Sequence, residues 1–137
     1  MISRLRFASL WLVPFALNFA SASAAENSIS HGPMLGHVSD TSIRVWARTA
    51  RPGKFVVQYG TQAEKLDQSS QPVATVLEHD CAASLELTGL APRTRYHYRV
   101  VLEGEQGGPG GSFRTLPSSE ALRDEKYTPR GLYNFRF

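Results

Sequence analysis

The segment Leu87-Thr88-Gly89-Leu90-Ala91-Pro92-Arg93-Thr94-Arg95-Tyr96-His97-Tyr98-Arg99-Val100 constrains this chain more than any other. Apolar residues alternate up to Leu87 and resume at Tyr96, while Gly89 and Pro92 interrupt the run. Glycine reaches backbone angles closed to other residues and proline has no N–H, so neither continues a ladder. The segment therefore reads as the end of one strand, a tight corner and the start of the next. A tyrosine placed here in an antiparallel sandwich folds its ring into the core. Its hydroxyl then bonds to backbone a few residues upstream. Gly89, Pro92 and Tyr96 are accordingly the structural corner of the expected fold.

The rest of the chain carries the same period. Residues 34–38, 42–49, 54–59, 73–77, 81–87, 94–103 and 112–116 are short runs with strand character, bounded by turn residues. Ile43, Val45 and Ala47 share one face, and Arg44, Trp46 and Arg48 the other. Phe55, Val57 and Tyr59 alternate in the next run, Tyr96, Tyr98, Val100 and Leu102 in a later one, and Phe113 faces inward in the last. Residues 61–71 are polar, a loop or one helical turn, and residues 104–111 form a glycine-rich hairpin loop. No helix-period stretch of useful length occurs. The expectation is an all-β, seven-stranded antiparallel sandwich of the immunoglobulin or fibronectin type III-like kind, spanning residues 30–117.

Both ends differ from this middle. Residues 1–24 have Arg4 and Arg6, then a short apolar run broken by Pro14, then Ala22-Ser23-Ala24. That order reads as a secretory signal peptide cut before Ala25, too short and interrupted to serve as a stable membrane span. The expected location is exported, periplasmic or extracellular. Losing Arg4 and Arg6 leaves 13 basic against 12 acidic side chains, a net charge of +1, so the +3 of the full chain overstates any attraction to polyanions. Nucleic-acid binding, which needs a clustered basic face, is not expected. The single cysteine, Cys81, has no internal disulfide partner and shares a face with Leu85 and Leu87, so it reads as a small buried hydrophobe. Residues 118–137 are charged at first and end in Leu132-Tyr133-Asn134-Phe135-Arg136-Phe137, a linker followed by a strand-like run.

Chemistry is sparse. Glu78-His79-Asp80-Cys81 is the one run of ligand-type residues, and neighbours entering a strand point to opposite faces rather than converge on a metal. His31, His37 and His97 are isolated. The glycine-rich loop lacks the Lys-Ser/Thr and the strand-to-helix context of a phosphate cradle. No catalytic, cofactor-binding or metal-binding residue is therefore expected. Arg44, Trp46 and Arg48 are the candidate interface, because a large aromatic between two guanidiniums has the composition of a docking anchor. The plainer reading is that the arginine stems cover the indole.

The run from Gly32-Pro33-Met34-Leu35-Gly36-His37-Val38 to Ser42-Ile43-Arg44-Val45-Trp46-Ala47-Arg48 resembles the opening of the N-terminal domain of the alkaline phosphatase D family. Val57-Gln58-Tyr59-Gly60, the corner, and Ser112-Phe113-Arg114-Thr115-Leu116-Pro117 extend the likeness to Pro117. The resemblance implies a fibronectin-like domain that precedes a metallophosphoesterase domain, its partner in the same polypeptide. That second domain would bind the metal ions and carry the phosphomonoesterase or phosphodiesterase chemistry. Asn134-Phe135-Arg136-Phe137 resembles its first strand, and residues 118–137 are then a linker and a truncated first strand. The expected function is a non-catalytic accessory and interaction domain. The alternatives are pairing with a catalytic domain supplied in trans, or a free-standing surface module that binds a ligand through Trp46.

Overall fold

Alternating burial organises the chain into strands. The structure, a computed structural model, describes residues 27–124, 126 and 127. The expected signal peptide at 1–24 and the strand-like run at 132–137 lie outside the described residues. In order come β1 (Ile29–Gly36), β2 (Ile43–Thr49), β3 (Gly53–Gly60), β4 (Gln68–Ser69), β5 (Val73–Thr75), β6 (Ala82–Leu87), β7 (Arg95–Leu102) and β8 (Gly110–Arg114). Single 3-10 turns occupy Leu77–His79 and Glu120–Leu122.

The strands form two antiparallel sheets. One has the order β1-β2-β6; the other runs β4-β3-β7-β8, with β5 also pairing β3. Successive strands β2 and β3, and again β6 and β7, lie in different sheets, which gives the fibronectin type III-like sandwich. Between the sheets pack Ile43, Val45 and Ala47 of β2, Phe55 and Val57 of β3, Leu87 of β6, Tyr96, Tyr98, Val100 and Leu102 of β7, and Phe113 of β8. These are the residues whose phase the sequence assigns to the inner face. Tyr96 stacks on Phe113 with ring centroids 5.5 Å apart and meets Tyr59 edge-on at 6.2 Å. Such aromatic pairs add to the burial of their area.

The corner has the expected design. Gly89 has φ +72°, a conformation that side chains resist. Tyr96 is 5% exposed, and its hydroxyl accepts a hydrogen bond from the Ala91 N–H at 2.9 Å. The hydroxyl of Thr115, 3% exposed, donates to the Ala91 carbonyl at 2.7 Å and accepts from the Thr94 N–H at 2.9 Å. The Leu90 N–H reaches the Thr41 carbonyl, the Arg93 N–H that of Leu116, and the Leu116 N–H that of Ser39.

Several strand boundaries differ from expectation, among them β8, which spans Gly110–Arg114 rather than 112–116 and so takes in the last two glycines of the expected loop. Gln68–Ser69 adds an eighth strand where a polar loop was expected, because two exposed residues paired with Gln58 and Tyr59 show no alternation. β1 starts at Ile29 rather than Met34, and its register shifts twice before Met34. Gly-Pro reads as a strand breaker, but an edge strand with bulges accommodates it. The strand expected at 73–77 stops at Thr75, and Val76 leads into the 3-10 turn.

A buried polar chain at the opposite end was not foreseen. The Gly53 N–H donates to Thr75 Oγ1 at 3.0 Å. Thr75 and Thr49 Oγ1 lie 2.7 Å apart, and Thr49 Oγ1 donates to the Arg51 carbonyl at 2.6 Å. Thr49 is on β2 and Thr75 on β5, so the chain bridges the two sheets.

Thr115→Val keeps shape but strips two backbone groups of their partner, whereas Tyr96→Phe strips one. Urea unfolding is expected to show a loss of about 2 kcal/mol for Thr115→Val and about 1 kcal/mol for Tyr96→Phe. Equal losses, or the reverse order, would refute the ranking.

Candidate interaction site

β2 lies between β1 and β6, so its outward side chains form the middle row of an exposed sheet face. The register places Arg44 opposite Glu86 and Gly36, Trp46 opposite Ser84 and Met34, and Arg48 opposite Ala82 and His31. Arg44, Trp46 and Arg48 therefore do share one face, with a half-buried indole flanked by a methionine and a serine.

Both guanidiniums already have acidic partners. Arg44 Nη2 lies 3.9 Å from Glu86 Oε2, a loose and exposed pair worth little by itself. Arg48 is held more firmly. Its Nε donates to Asp80 Oδ2 at 3.0 Å and to the Asp80 carbonyl at 2.9 Å, and its Nη2 donates to Oδ1 at 2.7 Å. This two-pronged geometry is the one guanidinium and carboxylate favour. Asp80 and Cys81 both have φ +54°, which turns the chain sharply after the 3-10 turn and presents the carboxylate to β2. The hydrogen bonds and charge of Arg48 hold the Asp80 carboxyl below its ordinary value of 3.8, and those of Asp80 push Arg48 up.

The Glu78-His79-Asp80-Cys81 run is thus a fastening rather than a ligand set. β6 begins at Ala82, so Asp80 and Cys81 belong to the turn and not to a strand. Cys81 is buried, 4% exposed, in line with the reading as a small hydrophobe. Among the described residues no group of three or more His, Cys, Asp and Glu side chains converges, so no donor set for a metal is present there. His31 Nδ1 lies 3.2 Å from Ser30 Oγ, a hydroxyl–imidazole contact. Both residues are exposed, and Arg48 Nη1 lies 3.5 Å from the same nitrogen. His37 is exposed with φ +48°, and His97 is half-buried on β7 opposite Gly60 and Ser112. The glycine-rich loop is the β7–β8 connection, as its composition suggests.

Alternation assigns no phase to β1, and there the structure adds most. Met34 is 62% exposed, and Leu35 and Val38 are also exposed. Met34, Leu35, Gly36, Arg44, Trp46 and Ser84 line a shallow groove of about 370 Å³. A second groove of about 210 Å³ shares Leu35 and Gly36 and runs past Val38 to Phe113 and Arg114. The candidate site is thus an apolar strip along the end of β1, with Trp46 at its margin.

The family described as PhoD-like phosphatase, N-terminal domain, matches residues 15–117. The match begins inside the expected signal peptide and ends where the sandwich does. The solved structure of PhoD superposes with a TM-score of 0.55 at 20% identity over 61% of this chain. The chain spans 18% of the length of that PhoD chain. The sensor domain of the anti-sigma factor RsgI4 from Pseudobacteroides cellulosolvens has the same fold in solution. It has a TM-score of 0.52 and 13% identity, covering 82% of this chain and 93% of the sensor domain. No curated protein sequence matches the chain.

The Arg48–Asp80 pair predicts a specific acid response. A carboxyl whose folded pKa lies below its unfolded value stabilises the fold above that unfolded value, and the effect is lost as pH falls through the folded pKa. Asparagine tolerates the left-handed angle at position 80. Asp80→Asn is therefore expected to lower stability at neutral pH and low salt, with the difference from wild type shrinking as pH falls below 3.8 and lost once the folded carboxyl is protonated. A difference that persists unchanged far below that pH would refute the assignment.

Proposed function

The chain belongs to the PhoD-like phosphatase family through its N-terminal domain, and we propose on that basis that it is the non-catalytic accessory domain of an exported phosphoesterase. The observation that carries this reading is the family match across the whole sandwich. In this reading the partner is a metallophosphoesterase domain. That domain binds the metal ions and the phosphate ester, and the sandwich supplies a rigid surface beside it.

Export is part of the proposal. It rests on Arg4, Arg6, the apolar run and Ala22-Ser23-Ala24. The described residues contain no helix long and apolar enough to cross a membrane, which leaves the strand-based case untouched.

Two measurements test the two halves. Purified chain supplied with divalent metals is expected to hydrolyse p-nitrophenyl phosphate no faster than a mock preparation. Chelator-sensitive turnover above that level would overturn the non-catalytic assignment. Intact-mass analysis of the protein recovered from the periplasm or medium of a secreting host is expected to show a chain beginning at Ala25. Recovery only as an uncleaved, cell-retained product would overturn export.

A further inference from the structure

Met34, Leu35 and Val38 fall within five consecutive positions, and all are exposed large hydrophobics. Two adjoining grooves make them one strip, from Trp46 over the end of β1 to the open side of the sandwich at Phe113. Exposed apolar surface that is contiguous and rimmed by polar groups marks an interaction surface. Methionine, tryptophan and arginine are the residues enriched at such surfaces.

Two observations point to the occupant. The first is where the chain leaves the sandwich. The Leu116 N–H bonds to the Ser39 carbonyl, so the polypeptide departs next to Val38, at one end of the strip. Residues 118–124, 126 and 127 line neither groove, although they follow directly. A domain attached after this point is delivered to the strip at high effective concentration. The second is charge. Arg44 and Arg114 line the grooves, and no acidic side chain does so among the described residues. Glu86 reaches Arg44 only at 3.9 Å, and Arg114 Nε donates to the Arg93 carbonyl at 3.3 Å. The complementary surface is apolar at its centre and carboxylate-bearing at its rim.

We infer that the Met34–Leu35–Val38 strip, with Arg44 and Arg114 at its rim, is the surface on which a phosphatase domain following the sandwich docks. The inference rests on the accessory-domain reading and specifies its contact face. Trp46 then sits at the margin of the interface, so the Arg44–Trp46–Arg48 row is one flank of a site centred on β1.

The test joins the full 137-residue chain to the phosphatase domain of PhoD, in place of the PhoD segment that this chain matches. Backbone hydrogen exchange is then compared with that of the chain alone. Residues 34–38 are expected to gain protection in the joined protein. Met34→Ser and Leu35→Thr are each expected to reduce that gain about tenfold, the effect of losing one central anchor. Leu77→Ser, which removes a more exposed apolar side chain that lines neither groove, is expected to change nothing. The unfolding midpoint of each variant chain alone confirms that the sandwich stands. Protection on another face, indifferent to the strip variants, would overturn this inference and leave the accessory reading intact. A joined protein with no new protection anywhere would remove the accessory reading itself.

Discussion

The corner between β6 and β7 is the constraint on which the other parts of the sandwich depend. Apolar burial draws two sheets together but is non-directional, so it does not fix how one sheet lies on the other. The chain crosses between sheets at this corner, and directional bonds fasten it there on several sides. Tyr96 holds Ala91 from below, Thr115 holds Ala91 and Thr94 from β8's continuation, and Thr41 holds Leu90 from the β1–β2 connection. Residues from three separate stretches of chain thus meet at six positions. With that junction set, the tyrosines of β7 face Phe113 and Tyr59 in one arrangement.

The Thr49–Thr75 chain does at one end what the corner does at the other. Each hydroxyl has one proton, and the geometry uses both: Thr75 donates to Thr49, Thr49 donates to Arg51, and the Gly53 N–H completes the series. No buried side-chain polar atom among the described residues is left without a partner. A satisfied buried network costs little and favours one alignment, whereas a half-satisfied one is penalised by the low dielectric around it. The Arg48–Asp80 fastening lies at this same end and works outside the core, where water weakens it. Its contribution is to orient the turn before β6 more than to stabilise the whole.

How much of this was legible in the sequence follows from which interactions are local. Strand phase is local, so Ile43, Val45, Phe55, Val57, Tyr96, Tyr98 and Phe113 could be assigned inward from alternation alone. The corner was legible because its glycine, proline and tyrosine sit within eight positions. The threonine network was not, because Thr49 and Thr75 are 26 residues apart and a threonine in a strand reads equally as an exposed one. Asp80 as the partner of Arg48 is a contact across 32 residues, which no motif announces. Met34 and Leu35 are adjacent apolar residues on an edge strand with shifted register, so period two could not tell which of them faces solvent. Sequence therefore located the neighbourhood of the site at β2 but not its centre on β1.

The two edge strands at the open side of the sandwich run the same way. β1 begins beside Leu102 and the glycine-rich loop, and β8 ends beside His37 and Val38. The segments that enter and leave the sandwich are therefore held at opposite ends, separated by roughly the length of an eight-residue strand, about 25 Å. Tension applied through those segments would pull β1 along β2 and β8 along β7, loading each ladder in shear so that its hydrogen bonds bear the force together instead of parting one by one. The same module that presents a docking strip is, mechanically, a stiff strut of fixed length.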